Sequence, residues 1–199
     1  MKVLDSIAAA ATLPQAIDVI GKEYAGHEAM LFREKPGEPY TGKLMYEELP
    51  GFAKILATSL IQQFGVAPEQ NIAFLSENRA EYNMGDIGVL NSGAAPWGLY
   101  DYDIKNQEIV EYKINDSGTS IIICSPTFLE AVRGVIRAGR TPLKNVVVMD
   151  WIGELPSLGV NEYSFSDLVK RGKYDASLIE SRVGALTKDS TSRIIYTSG

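Results

Sequence analysis

A chain of 199 residues, 45% of them hydrophobic and 22% charged, has the size and make-up of one globular domain or one large piece of a domain, with enough apolar material for a core. Nineteen Lys and Arg against 25 Asp and Glu leave a net charge of −6, so no basic stripe faces a phosphodiester backbone and nucleic acid is excluded as an expected partner. The one cysteine, Cys124, forms no internal disulfide and suits a reducing, cytoplasmic setting.

In chain order, the first apolar run, residues 7–11, is too short for a secretory signal. Nothing approaches the ~20 apolar residues of a membrane span, which leaves peripheral membrane contact open. A hairpin is predicted next, with residues 29–32 and 40–44 flanking the turn-rich Lys35-Pro36-Gly37-Glu38-Pro39. Leu49, Phe52, Ala53, Leu56, Leu60 and Phe64 recur at spacings of three and four, so a helix is predicted over 46–64. Pro50 is tolerated in its first turns, and Gly65 supplies the stop.

Residues 71–75 read as a short buried strand. Asn78 is the predicted cap of a helix over 79–91, with Glu81 reaching back to the cap. A strand is predicted at 94–99 and a helix at 105–115, ended by Gly118. The clearest strand is 119–124, where Ile121, Ile122 and Ile123 are consecutive. Apolar residues on both faces suit the centre of a parallel sheet. A helix over 126–138 and a strand at 145–149 follow. Residues 150–175 read as a loop-rich stretch punctuated by Gly153, Pro156 and Gly159. A helix is predicted at 176–183, then a final strand at 193–196 that runs into Thr197-Ser198-Gly199. The alternation implies an α/β fold, a layered, largely parallel sheet with flanking helices and right-handed crossovers. Ligands of such sheets gather at the carboxyl ends of the strands.

The end of that final strand carries the most chemistry. Thr and Ser offer hydroxyl donors, and Gly lets a backbone approach a ligand closely, which a phosphate-cradling loop requires. Read alone, Thr-Ser-Gly after a strand is an ordinary turn, and no Walker A pattern is present. Other candidate residues have plain readings. His27 has no companion ligands and is expected at the surface. Cys124 is expected as a small buried hydrophobe, and Asp101 and Asp103 as parts of a solvated loop. Trp97 and Tyr100 are expected to pack as core aromatics, with a channel lining as the other reading.

Residues 189–199 (Asp-Ser-Thr-Ser-Arg-Ile-Ile-Tyr-Thr-Ser-Gly) resemble the opening of the phosphate loop of the adenylate-forming, or AMP-binding, superfamily. Tyr46-Glu47-Glu48-Leu49 resembles the Tyr-x-x-Leu opening of its first helix. Residues 71–82, 86–100 and 108–117 resemble its following strand, small-residue helix, Leu-Tyr crossover and next helix, in order and spacing. The resemblance runs from about residue 25 to the end. Within the superfamily, Pro96-Trp97-Gly98-Leu99-Tyr100 is most like long-chain fatty acyl-CoA synthetases. One departure is visible: many members place Thr before the Tyr of the first helix, and here the residue is Met45.

The resemblance implies an AMP-forming acid–thiol ligase. Such enzymes activate a fatty acid with ATP and Mg²⁺ as an acyl-adenylate and transfer the acyl group to coenzyme A. It implies that Thr197, Ser198 and Gly199 begin the phosphate loop that holds the leaving pyrophosphate. The loop Lys, the adenine-binding segment, the metal-binding Glu, the ribose-binding Asp and the late catalytic Lys are expected beyond residue 199. No catalytic or metal-binding residue is therefore expected in this chain. Residues 1–199 are expected to be the N-terminal portion of an adenylation domain, cut within its phosphate loop, inactive alone and prone to self-association. A stand-alone α/β nucleotide-binding module or a regulatory pseudo-enzyme remains the alternative. The residues that follow Gly199 separate these readings.

Overall fold

The structure, a computed structural model, describes residues 2–33 and 37–197. Lys35 and Pro36 of the predicted turn, and Ser198 and Gly199 of the candidate loop, lie outside the described residues. Two helices, α1 (Lys2–Ala8) and α2 (Leu13–Glu23), precede the first predicted element. The signal for α2 lies in Thr12, whose hydroxyl accepts from the Gln15 amide, and in Pro14, which fits the first turn. The hairpin is present as β1 (Glu28–Phe32) and β2 (Gly42–Met45), antiparallel and separate from the main sheet.

A single 3₁₀ turn, Tyr46–Glu48, leads into α3 (Leu49–Phe64). Met45 offers no hydroxyl, but its backbone N–H donates to Glu48 Oε2 at 2.8 Å. That reach-back half of the capping interaction needs nothing from the cap side chain, so the helix start survives the departure from Thr. Gly65 ends α3 in the left-handed region (φ 65°), as predicted.

The strand β3 (Asn71–Leu75) has its predicted bounds, but the next helix does not start as predicted. In α4 (Ala80–Asn91) the cap residue is Arg79, and Asn78 is exposed before it. Glu81 is fully buried and pairs with the Arg79 guanidinium at 2.9 Å, instead of reaching back to a cap. The strand β4 (Ala95–Gly98) and a 3₁₀ turn, Asp103–Lys105, lead to α5 (Gln107–Asp116), capped by the Asn106 side chain. Then come β5 (Ile121–Cys124), α6 (Leu129–Ala138) and β6 (Asn145–Val148). The stretch expected as loop holds one more strand and helix, β7 (Glu162–Ser164) and α7 (Phe165–Lys170), before α8 (Ala176–Ala185). Ser164 caps α7 by accepting from the Asp167 amide at 3.0 Å, a signal the short strand had hidden.

Five parallel strands form the sheet, in the order β4-β3-β5-β6-β7. Alternation along each strand sends Ile72, Phe74, Ile121, Ile123 and Val147 to one face, where side chains of α3, α4 and α7 cover them. Ala73, Leu75, Ile122, Cys124, Val146 and Val148 go to the other face, under α5 and α6. Both faces are buried, which explains why the strands are continuously apolar.

The predicted strand at 193–196 is not part of the sheet, and Ile195 is 70% exposed. The cause lies in the outer edge of β4. Ala95 donates its N–H to the Gln70 carbonyl just before β3, and Leu99 to the Phe74 carbonyl within it, so the alternate residues Pro96 and Gly98 face outward. Pro96 has no N–H, and that edge offers little ladder to a sixth strand.

Candidate functional site at the carboxyl ends of the strands

The connections after β3 and β5 leave toward opposite faces, because α4 lies on one side of the sheet and α6 on the other. Such a switch point is where α/β sheets open a crevice. Here it is bridged: the Ser125 hydroxyl, just after β5, donates to Glu77 Oε2, just after β3, at 2.6 Å. Burial works to raise the Glu77 carboxyl, but the bonds from Ser125 and from Arg79 (3.2 Å) outweigh it and hold the group below its ordinary range. Arg79 also binds the buried Glu81, and Glu81 accepts from the Ile152 N–H at 3.0 Å. The rim of β6 is thereby tied to the start of α4.

Beside this bridge, off the ends of β3 and β4, lies an open cleft of ≈ 400 Å³. Ser76, Asn78, Tyr82, Gly98, Tyr100 and residues 193–196 line it. A Cβ at Gly98 would lie 3.1 Å from the Tyr82 hydroxyl, so the floor of the cleft is close-packed at that position. Aromatic faces, a hydroxyl and an amide therefore converge at the place where the fold class collects ligands.

The segment lining the cleft carries its own anchors. Arg193 Nη2 meets both carboxylate oxygens of Asp86, on α4, at 2.6 Å. The Tyr196 hydroxyl donates to Asp116 Oδ2 at 2.8 Å, with the Lys113 carbonyl oxygen at 3.2 Å. Burial, and then the Asp116 carboxylate, push the Tyr196 phenol up to about 12. The Tyr196 ring meets the Trp97 ring edge-on, 5.1 Å between centroids, and Lys113 Nζ lies 5.5 Å from the Tyr196 ring centre.

Of the predicted site residues, only Thr197 is described. It is exposed and directly follows Tyr196, the last residue lining the cleft. His27 is exposed and Cys124 fully buried, as expected. Trp97 is fully buried and donates to the Thr119 hydroxyl at 2.7 Å, a core aromatic with a satisfied N–H. Tyr100 is half-exposed and stacks on Tyr102. The solvated-loop expectation fails for Asp103, which is 1% exposed. Its carboxylate holds Lys113 Nζ at 2.7 Å and accepts from the Tyr100 N–H. A buried carboxylate needs such partners, and no local spacing announces this one because Lys113 lies ten residues on, in α5. Asp86 and Asp116 were also missed; their partners lie 107 and 80 residues on, beyond any local spacing rule. Among the described residues, no group of three or more His, Cys, Asp or Glu is arranged to hold a metal ion, and no helix is long and apolar enough to cross a membrane.

The sequence model of one family, described as AMP-binding enzyme, matches residues 19–199. Among curated relatives, the chain is 27% identical over 159 residues to long-chain-fatty-acid–CoA ligase 1 of Homo sapiens, covering 77% of this chain and 20% of that protein. It is 27% identical over 123 residues to bacitracin synthase 2 of Bacillus licheniformis, covering 62% of this chain and 4% of that one. A crystal structure of a long-chain-fatty-acid-CoA ligase from Archaeoglobus fulgidus superposes with a TM-score of 0.65 at 23% identity, over 82% of this chain and 30% of that one. The α/β architecture is thus the one found in adenylate-forming enzymes, and the chain spans about a fifth of the length of the human relative.

Proposed function

This chain belongs to the AMP-binding enzyme family, and on that premise we propose that it is the leading portion of the adenylation domain of an AMP-forming acid–thiol ligase. The whole enzyme activates a carboxylic acid, in our reading a long-chain fatty acid, as its acyl-adenylate. ATP, Mg²⁺ and coenzyme A are the reactants and cofactor implied. The observation that carries the reading is that the family match covers residues 19–199 and so takes in residues 193–196, which line the cleft at the sheet's carboxyl ends and lead directly into Thr197.

The reaction joins a carboxylate oxygen to the α-phosphorus and releases pyrophosphate, and the acyl carbon then passes to the coenzyme A thiol. In the first step the charge that develops is on the leaving β- and γ-phosphates. Thr197 and Ser198 would offer hydroxyl and backbone N–H donors to those oxygens, with Gly199 allowing close backbone approach. The described carboxylates at the cleft are engaged elsewhere, Glu77 by Ser125 and Arg79, and Asp86 by Arg193. No step is therefore assigned to a metal held by this chain, and Mg²⁺ is expected to bind through residues of the rest of the enzyme. This portion supplies the scaffold and the first phosphate contacts, and no catalytic acid or base. It works in the cytoplasm or against a membrane surface.

Two assays test the proposal. The 199-residue chain alone should give no ATP–pyrophosphate exchange with fatty acids of any length. A protein of the relatives' length that carries this chain should exchange with long-chain acids and form acyl-CoA. Exchange by the chain alone would sink the reading of it as a portion. Exchange with amino acids only, and no thioester on coenzyme A, would move it to the peptide-synthetase branch.

A further inference from the structure

The segment leading into Thr197 is held by side chains and not by the sheet. Three polar anchors fix it: the Thr191 N–H on Glu69 Oε1 (3.1 Å), Arg193 on Asp86, and the Tyr196 hydroxyl on Asp116. The last two reach opposite faces. Asp86 is on α4, the helix over the Phe74 face, and Asp116 ends α5, the helix over the Trp97 face. The segment thus straddles the edge of β4, where Pro96 denies it a backbone ladder. The Asp86 side chain is only 16% exposed, and among the described residues its one ion-pair partner is Arg193. One guanidinium nitrogen meets both Asp86 oxygens, and the carboxylate is the more shielded partner of the pair.

We infer that Asp86–Arg193 and Asp116–Tyr196 form a two-point latch that sets where Thr197 stands relative to the cleft. Asp86, Arg193, Tyr196 and Asp116 are then positioning residues for adenylation, although none touches the nucleotide. The inference rests on the phosphate-loop reading for its functional half and on geometry alone for its structural half. The two halves are tested separately.

The structural half uses the 199-residue chain. Thermolysin cuts before Ile, and Ile194 and Ile195 lie between the two anchors. Asp86→Asn and Asp116→Asn keep side-chain size and should each speed cleavage there by about three- to tenfold, the range for a partly shielded pair. The melting temperature should barely move. At ~1 M salt the ratio of Asp86→Asn to wild type should fall toward one, because only that anchor is an ion pair. Asp116→Asn should keep its ratio. Unchanged cleavage in both variants, or faster cleavage matched by a fall in melting temperature, overturns the latch.

The functional half uses the longer enzyme. Asp86→Asn and Arg193→Gln should lower the maximal adenylation rate about tenfold while thioester formation from supplied acyl-adenylate stays normal, with Arg193→Lys recovering part of the rate. If Thr197→Ala slows exchange and the latch variants do not, the phosphate-loop reading stands and the latch has no positioning role. If Thr197→Ala is itself silent, the phosphate-loop reading fails, and the cleavage result alone decides the latch.

Discussion

Glu162 receives Arg133 through two bonds, at 2.7 and 2.6 Å, and its side chain is nearly buried. The Arg133 hydrogen bonds hold its carboxyl below the ordinary range, against the opposing effect of burial. A depressed folded value means stability that is fully present above the unfolded value of about 4.3 and lost as pH falls through the folded one. Urea midpoints measured from pH 7 to pH 3 should therefore drop on the acid side, and Glu162→Gln should flatten that limb. An unaltered acid limb would show that the pair is not linked to folding. Cys124 behaves in the opposite sense: burial, then the Glu162 charge, push its thiol up to about 12. It should resist alkylation at pH 8 until the chain unfolds, and rapid labelling of folded protein would contradict its placement in the core. That burial was legible from three consecutive isoleucines. The burial of Asp103 was not, because its partner Lys113 comes near only after the chain turns into α5.

The elements were legible where periodicity was long and uninterrupted. The stripe on α3 and the runs in β3, β5 and β6 appear with their bounds shifted by a few residues at most. β7 has three residues and the helix that follows it only six, too little pattern to stand out among loop residues. Residues 193–196 are β-branched and apolar enough for a strand, yet Pro96 removes a donor from the outer edge of β4 and side-chain anchors hold the segment instead, so tertiary context overrode local preference. The small-residue character of α4 has a packing reason. A Cβ at Gly88 would fall 2.5 Å from Leu56 Cδ2 of α3, and one at Gly85 would fall 2.8 Å from the Phe74 ring. Close approach of α4 to α3 and to the sheet depends on those two positions. Gly88→Ala gains helix propensity but overpacks this contact, and should cost a net ~1–3 kcal/mol in urea unfolding. A stabilised variant would mean that Leu56 moves aside freely.

At the scale of the molecule, three layers bury both faces of the sheet, while the β4 side presents half-exposed Tyr100, Tyr102 and Tyr112 with Ile195 nearby in the chain's last described stretch. Exposed aromatic surface beside an unpaired strand edge favours association. Sedimentation of the 199-residue chain should show concentration-dependent self-association, and a monomer at all concentrations would mean that the latch segment covers the edge adequately. The fold and the family were readable in the sequence because the motifs follow the chain in order. The anchoring of the phosphate-loop segment was not, because it joins residues about a hundred positions apart. Thr197 and Ser198 carry the proposed phosphate contacts, and ATP–pyrophosphate exchange by the longer enzyme measures their role most directly. Losing one hydrogen bond to a charged phosphate costs ~1.5–3 kcal/mol, so Thr197→Ala and Ser198→Ala should each slow exchange about ten- to a hundredfold with little change in melting temperature. Full exchange in both variants would contradict it.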